Sequence, residues 1–246
     1  GAAAAFADHA RRAGAKRVSI IYGDFGSIAA AAKVGQKILE RADVSVQMVP
    51  YPVVSTDLSA TLAAATSSSP DAVFLLAADS GCTAGFDGLH SLGTTTTRYF
   101  VGACASPAIT EQVGDEETDG VLFNVEGPVS PDDPSPDQAL YEAVVAKYGA
   151  DGLDPVGAGT VSFRAFMNLY RVLVEQDGAP TASGVTKTLS TAVDAVSFAG
   201  HPYTCDHRQF ADLPAMCAPQ QIIAEMRGGK LHQVGDWIDV GAVERG

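Results

Sequence analysis

The sequence predicts an α/β protein: a doubly wound lobe around a parallel sheet, followed by a second, helical lobe that is incomplete. Between Arg17 and Val125, short apolar runs alternate with helical patterns, which is the βαβα order of a parallel sheet. Between Pro128 and Val193 the chain shows three amphipathic helical patterns and no clear strand. Because an amphipathic helix must cover its apolar face, this second half packs either on the first lobe or in another lobe whose sheet this sequence does not contain.

The elements of the first half follow from apolar periodicity and from turn residues. The run Ala72–Ala77 is apolar throughout, which is typical of a strand buried on both faces. The predicted strands are Arg17–Tyr22, Val44–Val49, Ala72–Ala77, Tyr99–Gly102 and Gly120–Val125. The predicted helices are residues 2–13, Ser27 to about Arg41, a helix capped by Thr56 or Asp57 that continues through Ala65, Gly81–Leu92, and a short helix that starts at Ser106-Pro107.

After a linker rich in proline and aspartate, between Gly127 and Pro136, the chain predicts helices and then a hairpin. The pattern from Ser135 is a capping box, and in the tail a Gly-Gly pair separates two apolar runs. The predicted helices begin at Ser135, span about Gly159–Gln176, and run from Thr181 to about Val193. The tail consists of the loop His201–Pro219 and the strands Gln220–Met226 and Leu231–Val234.

Two helices of the second half carry apolar faces that we expect to be buried. The aromatic stripe of the longer helix could line a cofactor site, but helical spacing of this kind is more typical of a core face. The residues expected in the core are Leu140, Tyr141, Val144, Val145 and Tyr148 in the first helix, and Phe163, Phe166, Met167, Tyr170, Leu173 and Val174 in the second.

Composition restricts the partners of this protein. The 246 residues include 16 Lys and Arg against 29 Asp and Glu, which gives a formal net charge of −13. This charge argues against nucleic acid and against anionic membrane surfaces, both of which need a basic face. No apolar run approaches the roughly 18–20 residues of a membrane helix, so we expect no direct membrane span. The alanine-rich start, Gly1–Arg12, has no basic opening and predicts a helix rather than a signal peptide.

The four cysteines form two pairs that are close in sequence, Cys82 with Cys104 and Cys205 with Cys217. Four thiols allow three pairings, and local pairing is the simplest. Disulfides would place the protein outside the cytoplasm. Two alternatives remain at this point: four buried thiols in a cytosolic protein, or a zinc site built from His201, Cys205, His207 and Cys217. The spacing of this last set matches no usual zinc signature, so we expect no metal and no cofactor.

The candidate ligand site lies beyond the carboxyl ends of the predicted parallel strands. The loops there, Tyr22–Ser27, Ala78–Gly81 and Ala103–Ser106, each precede a helix whose free N–H groups could hold a carboxylate or another anion. Phe25 could cover an apolar portion, Asp79 could hold a cation, and the serines could donate hydrogen bonds. The alternative is that these are ordinary turn and cap residues. The candidate ligand-binding residues are Tyr22, Phe25, Asp79, Ser80, Cys104 and Ser106.

Patterns that would indicate an enzyme are weak. There is no Walker loop and no G-x-S-x-G elbow, and the stretch Gly157-Ala158-Gly159 does not follow a strand as a dinucleotide loop must. Cys104 could act as a nucleophile with His9 or His90 as base, but Cys82 competes for it as a disulfide partner. We therefore expect a protein that binds a small molecule without transforming it.

The order of these segments resembles the type I periplasmic binding proteins, and within them the branched-chain amino-acid (Leu/Ile/Val-like) substrate-binding proteins of ABC transporters. No single motif carries the resemblance, but the ordered set covers nearly the whole chain. The matching stretches are KRVSIIYGDFGSIAAAAKVGQKILE, VPYPVVSTDLSATLAAATSSSPDAVFLLAADS, RYFVGACASPAI, TDGVLF and FRAFMNLYRVLVEQDGAPTASGVTKTL.

The resemblance implies two doubly wound lobes, joined by three crossings, with the ligand in the cleft between them. The match begins at the first crossing, so the family's opening segment would be absent from this sequence. Residues 1–125 and 195–246 would then form the second lobe, and residues 126–194 would be helices of the first lobe. The implied partners are a small-molecule ligand, an ABC transporter permease and a missing N-terminal segment. The implied location is periplasmic or extracellular, anchored at the cell surface.

Carried over by position, the family's ring-stacking aromatic falls at Phe25, and its contact after the third strand falls near Asp79 or Ser80. Many relatives place an acidic residue after the next strand, to hold the ligand's ammonium group. Here that position is near Cys104 and has no carboxylate, so either Asp79 replaces it or the ligand is not an α-amino acid. The alternatives to a solute-binding protein are a ligand-sensing domain of a receptor or regulator and an α/β enzyme using the same loops.

Overall fold

The computed structural model describes residues 1–129, 134–151, 153, 158–210 and 213–246. One sheet of seven strands, in the order β2-β1-β3-β4-β5-β6-β7, organises them. Strands β1 to β5 are parallel to one another, and β6 and β7 continue the sheet as an antiparallel hairpin. The strands are β1 (Arg17–Gly23), β2 (Ser45–Tyr51), β3 (Ala72–Leu76), β4 (Thr97–Phe100), β5 (Leu122–Val125), β6 (Gln220–Arg227) and β7 (Lys230–Asp239).

Helices cover both faces of this sheet, which confirms the predicted doubly wound α/β fold. One face packs against α1, α2 and α10, and the other packs against α3, α4 and α5. The helices are α1 (Ala2–Arg12), α2 (Gly26–Arg41), α3 (Ser59–Thr66), α4 (Asp79–Ser91), α5 (Pro107–Val113), α6 (Asp115–Thr118), α7 (Pro136–Tyr148), α8 (Ala158–Val174), α9 (Ala182–Ser190) and α10 (Val240–Arg245). A short 3₁₀ turn spans Gly102–Ala105.

The core has two apolar layers, one on each side of the sheet. Successive side chains of a strand point to opposite faces, so Phe74 of β3 enters one layer while Val73 and Leu75 enter the other. In the first layer Phe74 lies against Tyr99, with ring centroids 5.1 Å apart. All five residues of β3 are buried, as its uninterrupted apolar run predicts.

Small residues let the N-terminal helix approach its neighbour closely. Six of the residues that α1 buries are Ala3, Ala4, Ala5, Phe6, Ala7 and Ala10. A Cβ at Gly35 of α2 would lie 3.1 Å from the Cβ of Ala3, which is tighter than most contacts. The same helix buries the Asp8 carboxylate, which lies 2.7 Å from both Arg11 and Arg12. Because an unpaired buried charge is costly, these two arginines allow Asp8 to face the core.

The predicted helix starts are confirmed in the second half. The Ser135 hydroxyl accepts a hydrogen bond from the Gln138 N–H at 3.2 Å, and the Thr181 hydroxyl accepts one from the Gly184 N–H at 3.1 Å. The start of α3 differs from the prediction, because that helix begins at Ser59. Asp57 instead accepts a hydrogen bond from the Ser59 N–H at 2.8 Å in the preceding turn. Helix α10 was not predicted, and the linker prediction falls partly on residues 130–133, outside the described residues.

The predicted core faces of α7 and α8 are wrong at several positions. Tyr148 is 72% exposed and Phe166 is 61% exposed, although both were expected in the core. The physical reason is distance from the sheet, since the seven strands are already covered on both sides by other helices. The large apolar residues that α7 and α8 expose are Leu140, Tyr148, Val161, Phe166, Leu169, Tyr170 and Val174.

A small aromatic cluster attaches the helices to the rest of the chain. The ring of Phe163 lies 5.1 Å from that of Tyr141 and 5.5 Å from that of Phe198, centroid to centroid. Phe198 belongs to the segment Ser197–Gly200, called here the return crossing, which leads from the helices towards the tail. The Asn168 side chain accepts a hydrogen bond from the Phe198 N–H at 2.7 Å. The α7–α8 pair therefore rests on the return crossing.

The structure joins Cys82 to Cys104 and Cys205 to Cys217, which are the local pairs. The first disulfide ties the first turn of α4 to the 3₁₀ turn after β4, and the second closes the loop before β6. Because Cys205 and Cys217 are bonded to each other, the alternative of a zinc site that uses their thiolates does not fit this structure. None of the helices in the described part of the chain combines the length and apolar content needed to cross a bilayer.

The Cys82–Cys104 disulfide should contribute substantially to stability. It closes a loop with a sequence separation of 22, which corresponds to about 3 kcal/mol of chain entropy in the unfolded state. We expect urea unfolding with a reductant present to show a free energy of unfolding lower by about this amount for each disulfide. The variant C205A/C217A lacks the second disulfide, so the effect of a reductant on this variant reports the Cys82–Cys104 disulfide alone. An unchanged urea midpoint under reducing conditions would contradict this assignment.

Stability should also fall as the pH drops through the range in which His9 titrates. His9 Nδ1 lies 2.8 Å from the Tyr99 hydroxyl, and burial lowers the His9 pKa below its ordinary value of 6.5, with nearby Asp8 opposing and Arg12 adding to the shift. The unfolded chain therefore takes up this proton first as the pH falls. The resulting loss of stability begins near pH 6.5 and is complete below the folded-state pKa.

The measurement is the free energy of unfolding between pH 7.5 and 5, for the wild type and for His9→Gln. The variant should show a shallower loss over this range, because glutamine does not titrate. Carboxylates with lowered pKa values, such as Asp71, ordinarily titrate near 3.8 and therefore lie outside this window. Identical pH profiles for the two proteins would show that His9 carries no part of the effect.

Candidate functional site

The first candidate loop follows β1, at the carboxyl edge of the parallel strands. Tyr22 is half-buried and packs against the first core layer. Phe25 occupies the N-cap position of α2 and is 60% exposed. The Asp24 N–H donates to the Tyr51 carbonyl at 2.7 Å, which fixes this loop against the end of β2. The loop therefore presents one aromatic ring to solvent from a fixed backbone.

The second candidate loop leads from β3 into α4. Asp79 is the first residue of α4, and Ser80, next to it, is exposed. The N–H groups of Gly81 and Cys82 already donate to the Ala78 carbonyl, at 2.8 and 3.1 Å. The N–H groups of the two preceding residues have no intrahelical partner, as in any α-helix. This helix start can thus donate hydrogen bonds to an anionic or carbonyl oxygen.

The third candidate loop follows β4. Cys104 is fully buried and its sulfur is in the disulfide, so it offers no thiol to a ligand. Ser106 is the N-cap residue of α5, with Pro107 in the first turn, as predicted. Its carbonyl accepts hydrogen bonds from the N–H groups of Ile109 and Thr110, both at 2.9 Å. Its side chain is half-buried beside the loop.

A large cleft of about 1390 Å³ opens between the sheet and the helices α7 and α8. Its sheet side is formed by the ends of β4 and β5, and its floor by the return crossing and by Glu126–Val129, called here the β5 crossing. Ala103, Ala105 and Pro107 line it, next to Cys104 and Ser106. None of the candidate residues whose side chains are described lines this cleft. They lie along the same carboxyl edge, on the loops around it.

The sequence did not reveal a series of hydrogen bonds that lies on the sheet side of the cleft. The Gly102 N–H donates to Asn124 Oδ1 at 3.0 Å, and Asn124 Nδ2 donates to Gln221 Oε1 at 2.9 Å. A Cβ at Gly102 would overlap the Asn124 carbonyl oxygen, so this approach requires glycine. Asn124 is the last residue but one of a predicted strand, and Gln221 is the second residue of another. Only the pairing of β5 with β6 brings the two side chains together.

A second missed group of charged residues joins α8 to the β5 crossing and α7 to the return crossing. Arg164 Nη2 forms an ion pair with Glu126 Oε2, and both residues line the cleft. Asp137 at the start of α7 accepts a hydrogen bond from the Ala199 N–H at 2.7 Å. In the sequence these residues are single charges on amphipathic helices or in a linker. Their periodicity alone gave no signal of a shared site.

The arrangement is suited to binding. The cleft combines apolar walls, such as Val101, Val125 and Phe163, with a few fixed polar groups, which is the usual composition of small-molecule sites. Among its polar groups, the Asn124 and Gln221 amides and the Arg164–Glu126 ion pair already have partners before any ligand arrives. Such a site can orient a small organic molecule by hydrogen bonds and bury its apolar portion.

Solved structures with this fold include three ABC transporter proteins. One, from Thermus thermophilus with bound valine, shares 15% identity over 99% of this chain and 66% of its own, with a TM-score of 0.79. One from Rhodopseudomonas palustris, in complex with p-hydroxybenzoic acid, shares 20% identity over 98% and 65%, with a TM-score of 0.77. A fatty acid transporter substrate-binding protein from Thermomonospora curvata shares 17% identity over 99% and 64%, with a TM-score of 0.78.

The chain thus spans less than two thirds of the length of these structures. A search of curated protein sequences gave no match. A family model described as "Periplasmic binding protein" matches residues 1–216, most of the chain. Together with the doubly wound sheet and the cleft at its carboxyl edge, this match shows that the chain belongs to the periplasmic binding protein family and has its type I fold.

Proposed function

We propose that this chain is part of an extracytoplasmic solute-binding protein, which captures a small polar ligand, an amino acid or a similar molecule, and delivers it to an ABC transporter permease. The observation that carries the proposal is the cleft between the sheet and the α7–α8 helices, floored by the two crossings. Two of the named relatives are a solute-binding and a substrate-binding protein of ABC transporters. Two disulfides among the described cysteines agree with a location outside the cytoplasm.

Closure of the cleft would be a hinge motion at the two crossings. On closing, the loops along the carboxyl edge of the sheet would meet the ligand. In this proposal Phe25 covers an apolar portion of the ligand, and the first turn of α4, with Asp79 and Ser80, holds a polar group. Tyr22 and Ser106 border the same edge, and Cys104 contributes only through its backbone because its sulfur is bonded.

We further propose that residues 1–125 and 195–246 form one lobe and that residues 126–194 are the helical part of another. The support is the row of exposed apolar side chains on α8, which includes Phe166, Leu169 and Tyr170. A soluble protein rarely leaves such a surface uncovered. The relatives are longer than this chain, and a sheet contributed by a further segment would cover these side chains.

The proposed function is tested by native mass spectrometry of the freshly purified protein, followed by calorimetric titration with any co-purified molecule. We expect a bound small molecule that is released unchanged. Phe25→Ala should weaken its binding by about 10-fold without lowering the melting temperature, because the ring is mostly exposed.

The matched control is Leu92→Ala. Leu92 is also an exposed apolar side chain, but it caps the far end of α4, at the opposite edge of the sheet. This variant should bind like the wild type. Chemical conversion of the bound molecule, or equal affinities of the Phe25 variant and the wild type, would count against the proposed function or against this role of Phe25, respectively.

The domain proposal predicts that Phe166→Ser behaves differently in two contexts. In the 246-residue chain it should change the free energy of unfolding by less than about 0.5 kcal/mol and reduce the binding of a hydrophobic dye. In a longer protein that includes the covering sheet, the substitution should lower the free energy of unfolding by about 3 kcal/mol. Phe163→Ser is the control, destabilising in both because Phe163 packs on Tyr141 and Phe198. A small effect of the Phe166 variant in both contexts would contradict the proposal.

A further inference from the structure

We infer that Arg164 is the receptor for a carboxylate group of the ligand, and that Glu126 is an exchangeable partner which this carboxylate replaces. The inference rests on the proposed function and deepens it, since it names the ligand class: a small carboxylic acid with an apolar body. It is argued from the position of Arg164, the asymmetry of the ion pair and the charge of the cleft.

The two crossings are built around the Arg164 side chain. A Cβ at Gly127, in the β5 crossing, would lie 3.3 Å from Arg164 Nη1 and would overlap the Ala199 carbonyl oxygen. A Cβ at Gly200, in the return crossing, would lie 3.3 Å from Arg164 Cδ. A glycine in each crossing therefore lets the arginine pass between them. Both crossings thus approach the Arg164 side chain closely, and Arg164 lines the cleft whose floor they form.

The two members of the Arg164–Glu126 ion pair differ in how far their side chains are buried. The Arg164 side chain is 13% exposed, whereas that of Glu126 is 45% exposed. The cation is thus the fixed member, and the carboxylate is the member that can turn towards water. An ion pair with one solvated member contributes little to stability. Exchanging Glu126 for another carboxylate therefore costs little, provided that the guanidinium keeps a partner.

Guanidinium chemistry favours such an exchange. The contact with Glu126 joins one nitrogen, Nη2, to one oxygen, Oε2. Arginine presents five N–H donors in a planar fork, which matches a carboxylate that binds through two oxygens. A ligand carboxylate that approaches in the plane of the fork would form two parallel hydrogen bonds. Closure of the cleft would strengthen them by excluding water.

The other charges in the cleft bear on the role of Arg164. The chain has a net charge of −13, and three acids, Glu111, Asp115 and Glu142, line the cleft together with one lysine, Lys230 in the β6–β7 hairpin. An acid is repelled by this field unless a cation is placed to receive it. Arg164 is such a cation, and apolar side chains of Val125, Val161 and Phe163 line the same cleft and can contact the body of the ligand.

The experiment is calorimetric titration of the full chain with 4-hydroxybenzoate and octanoate, and with the corresponding primary amides. We expect at least one acid to bind and its amide to bind about 30-fold more weakly. Arg164→Gln should weaken binding of the acid by a similar factor. Glu126→Gln should bind the acid as well as the wild type or more tightly, because the competing carboxylate is gone. Arg164→Lys keeps the charge without the planar fork, so its affinity should lie between those of the wild type and Arg164→Gln.

Arg171→Gln is the matched control. Arg171 lies on the same helix and contacts Asp137, at 3.7 Å, and the Phe198 ring. This variant should bind the acids like the wild type, which separates ligand contact from a general effect of removing a positive charge. Melting temperatures with and without acid show whether each variant folds, and the acid-induced increase should be largest for Glu126→Gln.

Three results would overturn the inference. They are acid binding by Arg164→Gln equal to that of the wild type, an equal loss for Glu126→Gln and Arg164→Gln, and no binding of either acid to the wild type. Failure of the proposed function is distinguishable, because native mass spectrometry reports it independently. A co-purified ligand without a carboxylate would leave the solute-binding function standing and remove the role assigned to Arg164.

Discussion

Covering apolar surface is the constraint on which the rest of this structure depends. In the lobe around the sheet the requirement is met twice, because helices lie on both faces and β3 is buried at every position. In the helical segment it is met in part, for example where Phe163 packs against Tyr141 and Phe198. The two parts therefore differ in how they are held. One has its own core, and the other rests on the return crossing and keeps an exposed apolar face.

The β5 crossing and the return crossing therefore have two roles. They support α7 and α8 through Asn168 and Asp137, whose side chains accept hydrogen bonds from the backbone of the return crossing. They also form the floor of the cleft, where Arg164 lies between Gly127 and Gly200. Because both of these residues are glycines, the two crossings can approach the Arg164 side chain closely.

The loops at the carboxyl edge of the sheet are fixed by two kinds of contact. The Cys82–Cys104 disulfide fixes the first turn of α4 to the loop after β4, so two of the three candidate loops are held together covalently. The remaining loop, with Phe25, is fixed by the hydrogen bond from Asp24 to Tyr51. Loops that are already fixed lose little conformational entropy when a ligand binds, which favours binding.

The sequence by itself determined the local features: the alternation of strands and helices, the caps at Ser135 and Thr181, and the charge of the chain. These depend on residues a few positions apart, so periodicity and turn chemistry reveal them. Tertiary structure alone decided that Asn124 meets Gln221, that Arg164 meets Glu126, and that Phe166 is exposed while Phe163 is packed. The first two contacts join residues 97 and 38 positions apart, and the last depends on which side of a helix finds a partner. One helical stripe looks the same in sequence whether or not a surface is present to cover it.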